Sequence, residues 1–169
     1  MYYKIDPETL REKIIDLGSY AKEVELYQIK ISQNDMEYAS HCSKLGDLYR
    51  IKGELIQAKF YLNKALNALS DNPDEQLRLL TELRWAIVNQ WEQAYDESEK
   101  RFESLEALTN GTLESFVYQH RAMMEYERNN LWLALNYFEK ARRLRLEDEE
   151  LLDSTDMGIH RVKMLLRLK

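Results

Sequence analysis

The side chains able to do chemistry are few and scattered. His41 and Cys42 are adjacent, and adjacent residues of a helix point in different directions, so the pair makes no joint metal site. His120 and His160 have no carboxylate or cysteine at ligand spacing, and all three histidines read as structural. The acidic run Glu147-Asp148-Glu149-Glu150 has the makings of a metal site or a docking patch. Negative charge ahead of an apolar stripe, however, is what a solvated helix N-terminus favours. Arg142, Arg143 and Arg145 abut these acids and read as exposed helix surface. A glycine-rich phosphate loop, an H-E-x-x-H pair and a G-x-S-x-G elbow are all missing from the chain. The expectation is a protein that is not an enzyme, with no catalytic residue, no cofactor and no metal.

Composition narrows the class. The chain has 169 residues, one domain's worth, with 44% hydrophobic and 32% charged side chains. Only two prolines and five glycines punctuate it, so an all-α fold is expected. The net charge of −6 argues against a general nucleic-acid binder, whose affinity comes from neutralising phosphates. No apolar run reaches the ~18 residues a membrane span needs, and Met1-Tyr2-Tyr3-Lys4-Ile5-Asp6-Pro7 lacks the apolar core of a secretory signal. A single Cys42 forms no internal disulfide. A cytoplasmic location without membrane insertion is the expected address.

One stretch then organises the rest: Leu45-Gly46-x-x-Tyr49, Gly53, Ala58-x-x-x-Leu62-x-x-Ala65, and a closing Asn72-Pro73. Two antiparallel helices approach closely only where small residues face each other, here Gly46 and Ala58. Leu45, Tyr49 and Leu62 fill the space on either side. Gly53 permits a tight turn because it has no Cβ to clash. The spacing recurs. Ala58 is matched by Ser98 and Ala134, at intervals of 40 and 36 residues. Twelve residues before each stand Gly46, Ala86 and Ala122, and five before each stand the turn residues Gly53, Gln93 and Asn129. Four after each come Leu62, Phe102 and Phe138, and seven after each come Ala65, Leu105 and Ala141.

These residues resemble the tetratricopeptide repeat signature, with Cys42 in the place of its tryptophan and a period longer than the usual ~34 residues. The resemblance covers about residues 36–146. It implies a right-handed α-α superhelix of about three hairpins with flanking helices, in a single domain spanning 1–169. The repeats are expected at 35–69, 73–108 and 113–145.

Capping signals place the helices. Asp6, Pro7 and Glu8 make a helix start, and Leu10, Ile14, Leu17, Ala21 and Val24 follow at helical steps. One N-terminal helical element over 7–32 is therefore expected, with Gly18 as a bend or break. Gln33-Asn34-Asp35 marks the next start. Asn72 caps a helix led by Pro73, and Asn110-Gly111-Thr112 is a turn followed by a Thr cap. A C-terminal capping helix is expected over 147–168, with Leu152, Thr155, Ile159, Val162 and Leu166 on one stripe and a kink at Gly158.

The resemblance also implies a concave groove lined by the first helix of each hairpin. Carried over residue by residue, it consists of Lys44, Asp47 and Arg50; Arg84, Ile87, Gln90 and Trp91; and Phe116, Gln119, His120, Met123 and Tyr126. Large apolar side chains on such a face suit partner binding. The alternative is that a terminal helix folds into the concavity and these residues are core. The Lys and Asn clamp with which some members hold chaperone C-termini is absent, since Ser43, Asp47 and Gln119 stand at its positions. The leading expectation is a protein-interaction module for a protein or peptide segment with acidic and apolar residues. The alternatives are a three-repeat cytoplasmic chaperone of secreted proteins and a self-assembling scaffold or homodimer. A repeat-domain phosphatase of the response-regulator type would need a further helical bundle, for which the residues before the first repeat are too few.

Overall fold

Residues 2–33, 36–71 and 73–167 are described in this computed structural model. Among them the chain forms a small two-stranded sheet, β1 (Tyr3–Ile5) with β2 (Glu12–Ile14), and eight helices. The helices are α1 (Leu17–Gln33), α2 (Tyr38–Lys52), α3 (Leu55–Asp71), α4 (Glu75–Trp91), α5 (Tyr95–Leu108), α6 (Gly111–Glu127), α7 (Leu131–Arg143) and α8 (Glu149–Arg167). Helices that are consecutive in the chain pack as neighbours, α1 through α4 and again α6 through α8. This is the pattern of a helical repeat. The chain divides into two compact units, one comprising Met1–Lys4 with Glu12–Ser98 and the other Ile5–Arg11 with Glu99–Lys169.

In the first unit, α2 and α3 close on Gly46. A Cβ there would stand 2.8 Å from Leu62 Cγ and 3.1 Å from the Ala58 carbonyl oxygen, so the backbone itself forms part of the contact. Tyr20, Leu45 and Leu48 are buried beside it, with Val24, Tyr27 and Ile31 packed against them. In the second unit, Ala122, Met123, Leu131, Ala134, Phe138 and Val162 form one cluster, which also takes in Leu10.

The recurring register is the register of packing. Ala58, Leu62, Ala65, Ala86, Ser98, Phe102, Ala122, Ala134, Phe138 and Ala141 are all fully buried, and Leu105 nearly so. Ser98 uses its hydroxyl at the small position, donating to the Ala86 carbonyl at 2.8 Å. Gly53, Gln93 and Asn129 all adopt the left-handed conformation, with φ of 84°, 63° and 62°. Each ends its helix with one hydrogen-bond pattern: Gly53 N to Arg50 O and Glu54 N to Tyr49 O, Gln93 N to Gln90 O and Ala94 N to Asn89 O, Asn129 N to Tyr126 O and Asn130 N to Glu125 O. The glycine and its two substitutes do the same backbone work.

Several local expectations are corrected. The N-terminal element is not one helix. Asp6 does cap, its Oδ1 accepting from the backbone of Glu8 and Thr9, but the chain turns back at Leu10 (φ 59°) and pairs β1 with β2. Helix α1 starts at Leu17, where Asp16 accepts from the Ser19 amide and hydroxyl. Its inward stripe is Tyr20, Val24, Tyr27 and Ile31, leaving Leu17 and Ala21 exposed. Asp74 caps α4 by accepting from Leu77 N; the expected caps Asn72, Asn34 and Asp35 lie outside the described residues, as does Leu168 at the end of the C-terminal helix. Asn110 precedes α6 and Thr112 lies inside it. Helix α8 runs through Gly158 as one element. Arg145, expected on the surface, is 2% exposed.

Candidate functional site

In the first unit, helical steps put Ser43, Lys44, Asp47 and Arg50 on one face of α2, while α4 contributes Thr81, Arg84, Ile87, Gln90 and Trp91. Arg50 is 2% exposed and is held by two carboxylates. Its Nε donates to Asp47 Oδ1 at 2.8 Å, and Nη1 and Nη2 grip Glu12 of β2 at 3.0 and 2.9 Å. Its guanidinium lies 5.0 Å from the centroid of the Trp91 ring, an arrangement the ring quadrupole favours. A buried cation with two anionic partners is compensated, and removing either partner is costly.

Arg84 is the less committed cation. Nη1 donates to Ser43 Oγ at 2.8 Å, and Nε stands 3.7 Å from Asp47 Oδ2, beyond hydrogen-bond range. The side chain keeps 15% of its surface exposed, and Lys44 and Trp91 are likewise only half-buried. Burial lowers the Arg84 guanidinium below its usual range, against the pull of Asp47 and with the push of Arg50. For Asp47, burial alone would raise the carboxyl; Arg50, Arg84 and Lys44 outweigh it and hold the group well below the carboxylate range. Ser43 Oγ is 2.8 Å from Thr81 Oγ1. Its partners are thus a hydroxyl and a guanidinium, neither suited to take its proton, and the group serves as a hydrogen-bond relay. Ile87 and Gln90 are buried at 3% and 0% exposure and serve packing.

In the second unit the corresponding face of α6 is largely covered. Gln119 Oε1 lies 3.0 Å from the Thr155 hydroxyl of α8. Arg145 donates to Thr155 Oγ1 at 2.8 Å and Ser115 Oγ at 3.0 Å and sits 4.8 Å from the Phe116 ring centroid. Met123 is 3% exposed, and Phe116, His120 and Tyr126 are half-buried. The tip of the N-terminal hairpin also lies here. Leu10 enters the cluster of Ala122, Met123 and Tyr126, Arg11 Nε donates to Glu127 Oε1 at 2.7 Å, and the Tyr126 hydroxyl donates to the Glu8 carbonyl at 2.6 Å. Arg161 Nε in turn donates to the Tyr126 oxygen at 3.1 Å.

The hold on this tip is modest. Burying a leucine contributes about 1.5–3 kcal/mol, and holding a non-glycine residue left-handed costs roughly 1–2 kcal/mol. The Arg11–Glu127 ion pair is partly buried, its side chains 27% and 12% exposed, and a hydrogen bond to a charged group contributes about 1.5–3 kcal/mol.

Of the residues expected in a groove, the fold thus joins Asp47, Arg50, Arg84 and Trp91 in one charged cluster, with Lys44 beside it. It places Phe116, Gln119, His120, Met123 and Tyr126 on α6 of the second unit. Glu12, Leu10 and Arg145 carry no sequence signal for these roles. Glu12 is 38 residues from Arg50 and Arg11 is 116 from Glu127.

Elsewhere in the second unit, Trp132 (75% exposed), Leu133 and Leu166 line an apolar cleft with Asn129 and Asn130. Among the described residues no helix is long and apolar enough to cross a membrane, and no three His, Cys, Asp or Glu side chains gather as a metal site would require. Comparison with protein-family models, with curated proteins and with solved structures gave no match.

Proposed function

We propose that the chain is a non-catalytic protein-interaction module of the tetratricopeptide type, a right-handed superhelix of three helical hairpins that binds a segment of a protein partner. The shared turn pattern at Gly53, Gln93 and Asn129 and the buried register around Ala58, Ser98 and Ala134 support the repeat reading. The observation that carries the binding function is Arg84. It is a partly exposed guanidinium with one hydrogen bond, beside Lys44 and the Trp91 ring, in a chain of net charge −6. Such a site suits a segment with a carboxylate for Arg84 and Lys44 and an apolar residue for Trp91. Charge would set encounter rate and orientation, and the aromatic contact would supply much of the affinity.

Panning a displayed library of short segments against the chain tests this. Segments mixing Asp or Glu with large apolar residues should be enriched, and Lys44→Gln with Arg84→Gln, which removes both cations without setting an acid against Asp47, should lose them while keeping its helical circular dichroism. Equal enrichment by the double variant would remove these cations from the function. Trp91→Ala is a poorer probe, because that ring also stacks on buried Arg50.

A second reading, self-association, draws on the exposed Trp132 and Leu133 beside half-buried Leu166. Sedimentation should then show a dimer that Trp132→Glu dissociates. A wild-type chain that sediments as a monomer at every accessible concentration would end this reading.

A further inference from the structure

We propose that the tip of the N-terminal hairpin, Glu8 to Arg11, is an exchangeable ligand that the chain supplies to itself. The socket it fills on α6 would take a partner segment in which an apolar residue is followed directly by a cation. The proposal rests on reading the first-helix faces as ligand-binding, but it asks for the opposite charge from the one Arg84 selects.

Three observations converge on the tip. Leu10 is 2% exposed and packs with Ala122 and Met123, yet its φ of 59° is an outlier for a bulky side chain. A loop that merely turned here would be served better by glycine; the side chain is what the site selects. Next, the tip closes on itself. Asp6 Oδ1 accepts from Glu8 N and Thr9 N, Asp6 O accepts from Leu10 N, and Asp6 N donates to Arg11 O. The tip therefore keeps its shape when it leaves. Finally, its contacts have the form of ligand recognition. One apolar anchor enters a socket, an ion pair joins Arg11 to Glu127, and the Tyr126 hydroxyl donates to a backbone carbonyl. Arg161 steadies that hydroxyl from α8. A backbone carbonyl and a cation are features any partner segment of this pattern also presents.

The test uses the full chain with Leu10→Asp and Arg11→Glu together, which buries a charge in the socket and sets two acids against each other, so the tip is expelled. The probe is a labelled synthetic peptide, Ile-Asp-Pro-Glu-Thr-Leu-Arg-Glu, copied from residues 5–12. By fluorescence anisotropy the double variant should bind it at least about tenfold more tightly than the wild-type chain does. A peptide with Asp in place of its leucine should not bind. Equal, negligible binding by both chains, with circular dichroism unchanged, would make the tip a fixed part of the fold and overturn the proposal.

Should the double variant fail to fold, Arg11→Glu alone decides the matter, because it keeps Leu10 and sets an acid against Glu127 only. It should bind the labelled peptide at least about threefold more tightly than the wild-type chain does, and binding no tighter than wild type, with circular dichroism unchanged, overturns the proposal. Neither outcome bears on capture of acidic segments at Arg84, which Lys44→Gln with Arg84→Gln reports separately.

Discussion

The ring of Phe138 stands where a Cβ on Gly158 would be. An ideal Cβ on that glycine would lie 2.6 Å from the ring's Cε1 and Cζ and 3.1 Å from its Cδ1. Helices α7 and α8 therefore approach to a distance only glycine allows. The same relation holds in the first unit, where Gly46 meets Leu62 and the Ala58 carbonyl. Leu62 and Phe138 occupy the same position of the repeated spacing, four residues after Ala58 and Ala134.

Gly158→Ala sets two effects against each other. Helix propensity favours alanine by about 0.8–1 kcal/mol, while overpacking costs typically 1–3 kcal/mol. Phe138 is fully buried and has little room to yield, so packing should win and the variant should be less stable in urea. A midpoint at or above the wild-type value would show that the ring moves aside. Gly46→Leu should cost more still, because the neighbour of its Cβ is backbone as well as side chain.

The three left-handed turn residues should rank by their tolerance of positive φ. Gln93→Gly relieves a strained conformation and should stabilise by up to about 1 kcal/mol. Asn129→Gly should gain less, because asparagine adopts this conformation more readily than glutamine. Gly53→Ala should lose about 1 kcal/mol. Urea midpoints measured on the three variants check the order, and a gain for Gly53→Ala would contradict it.

Asp47 should contribute a pH-dependent share of stability. Its carboxyl is held below the usual range in the folded state, so the unfolded chain binds a proton first as pH falls. The contribution is complete above the ordinary carboxylate pKa of about 3.9 and declines below it. Asp47→Asn should flatten that part of the acid profile. At neutral pH it should cost about 1.5–3 kcal/mol, the worth of a hydrogen bond to a charged group, because Glu12 still holds Arg50. A stability–pH curve parallel to wild type would show that Asp47 is not the group titrating.

Arg145 should be a net burden as a charge. Burial lowers its guanidinium to about 10, only partly opposed by Asp148. The folded state thus holds this proton less tightly than the unfolded chain, and the charge costs stability at every pH below about 10. Arg145→Met, similar in length and apolar, should melt within a few degrees of wild type or above it. Arg145→Glu, which buries an anion beside the Phe116 ring, should unfold the second unit. A large loss in the methionine variant would mean that the bonds to Ser115 and Thr155 outweigh desolvation.

The chain's residues alone determined the hairpin register. Close approach of two helices demands a small residue at a set interval, and each tight turn demands one residue able to turn left-handed. Both demands are local or periodic, so Gly46, Ala58, Phe138, Gly53, Gln93 and Asn129 were legible without coordinates. The N-terminus was not. Asp6-Pro7-Glu8 is compatible with a single capped turn as well as with a long helix, because a cap governs only the first turn. The path of the chain beyond that turn was decided by where Leu10 and Glu12 find partners, Met123 and Arg50, far away in sequence. Arg145 makes the same point from the other side. Three nearby arginines look alike in sequence, and only the packing of α8 against α6 and α7 removes this one from water.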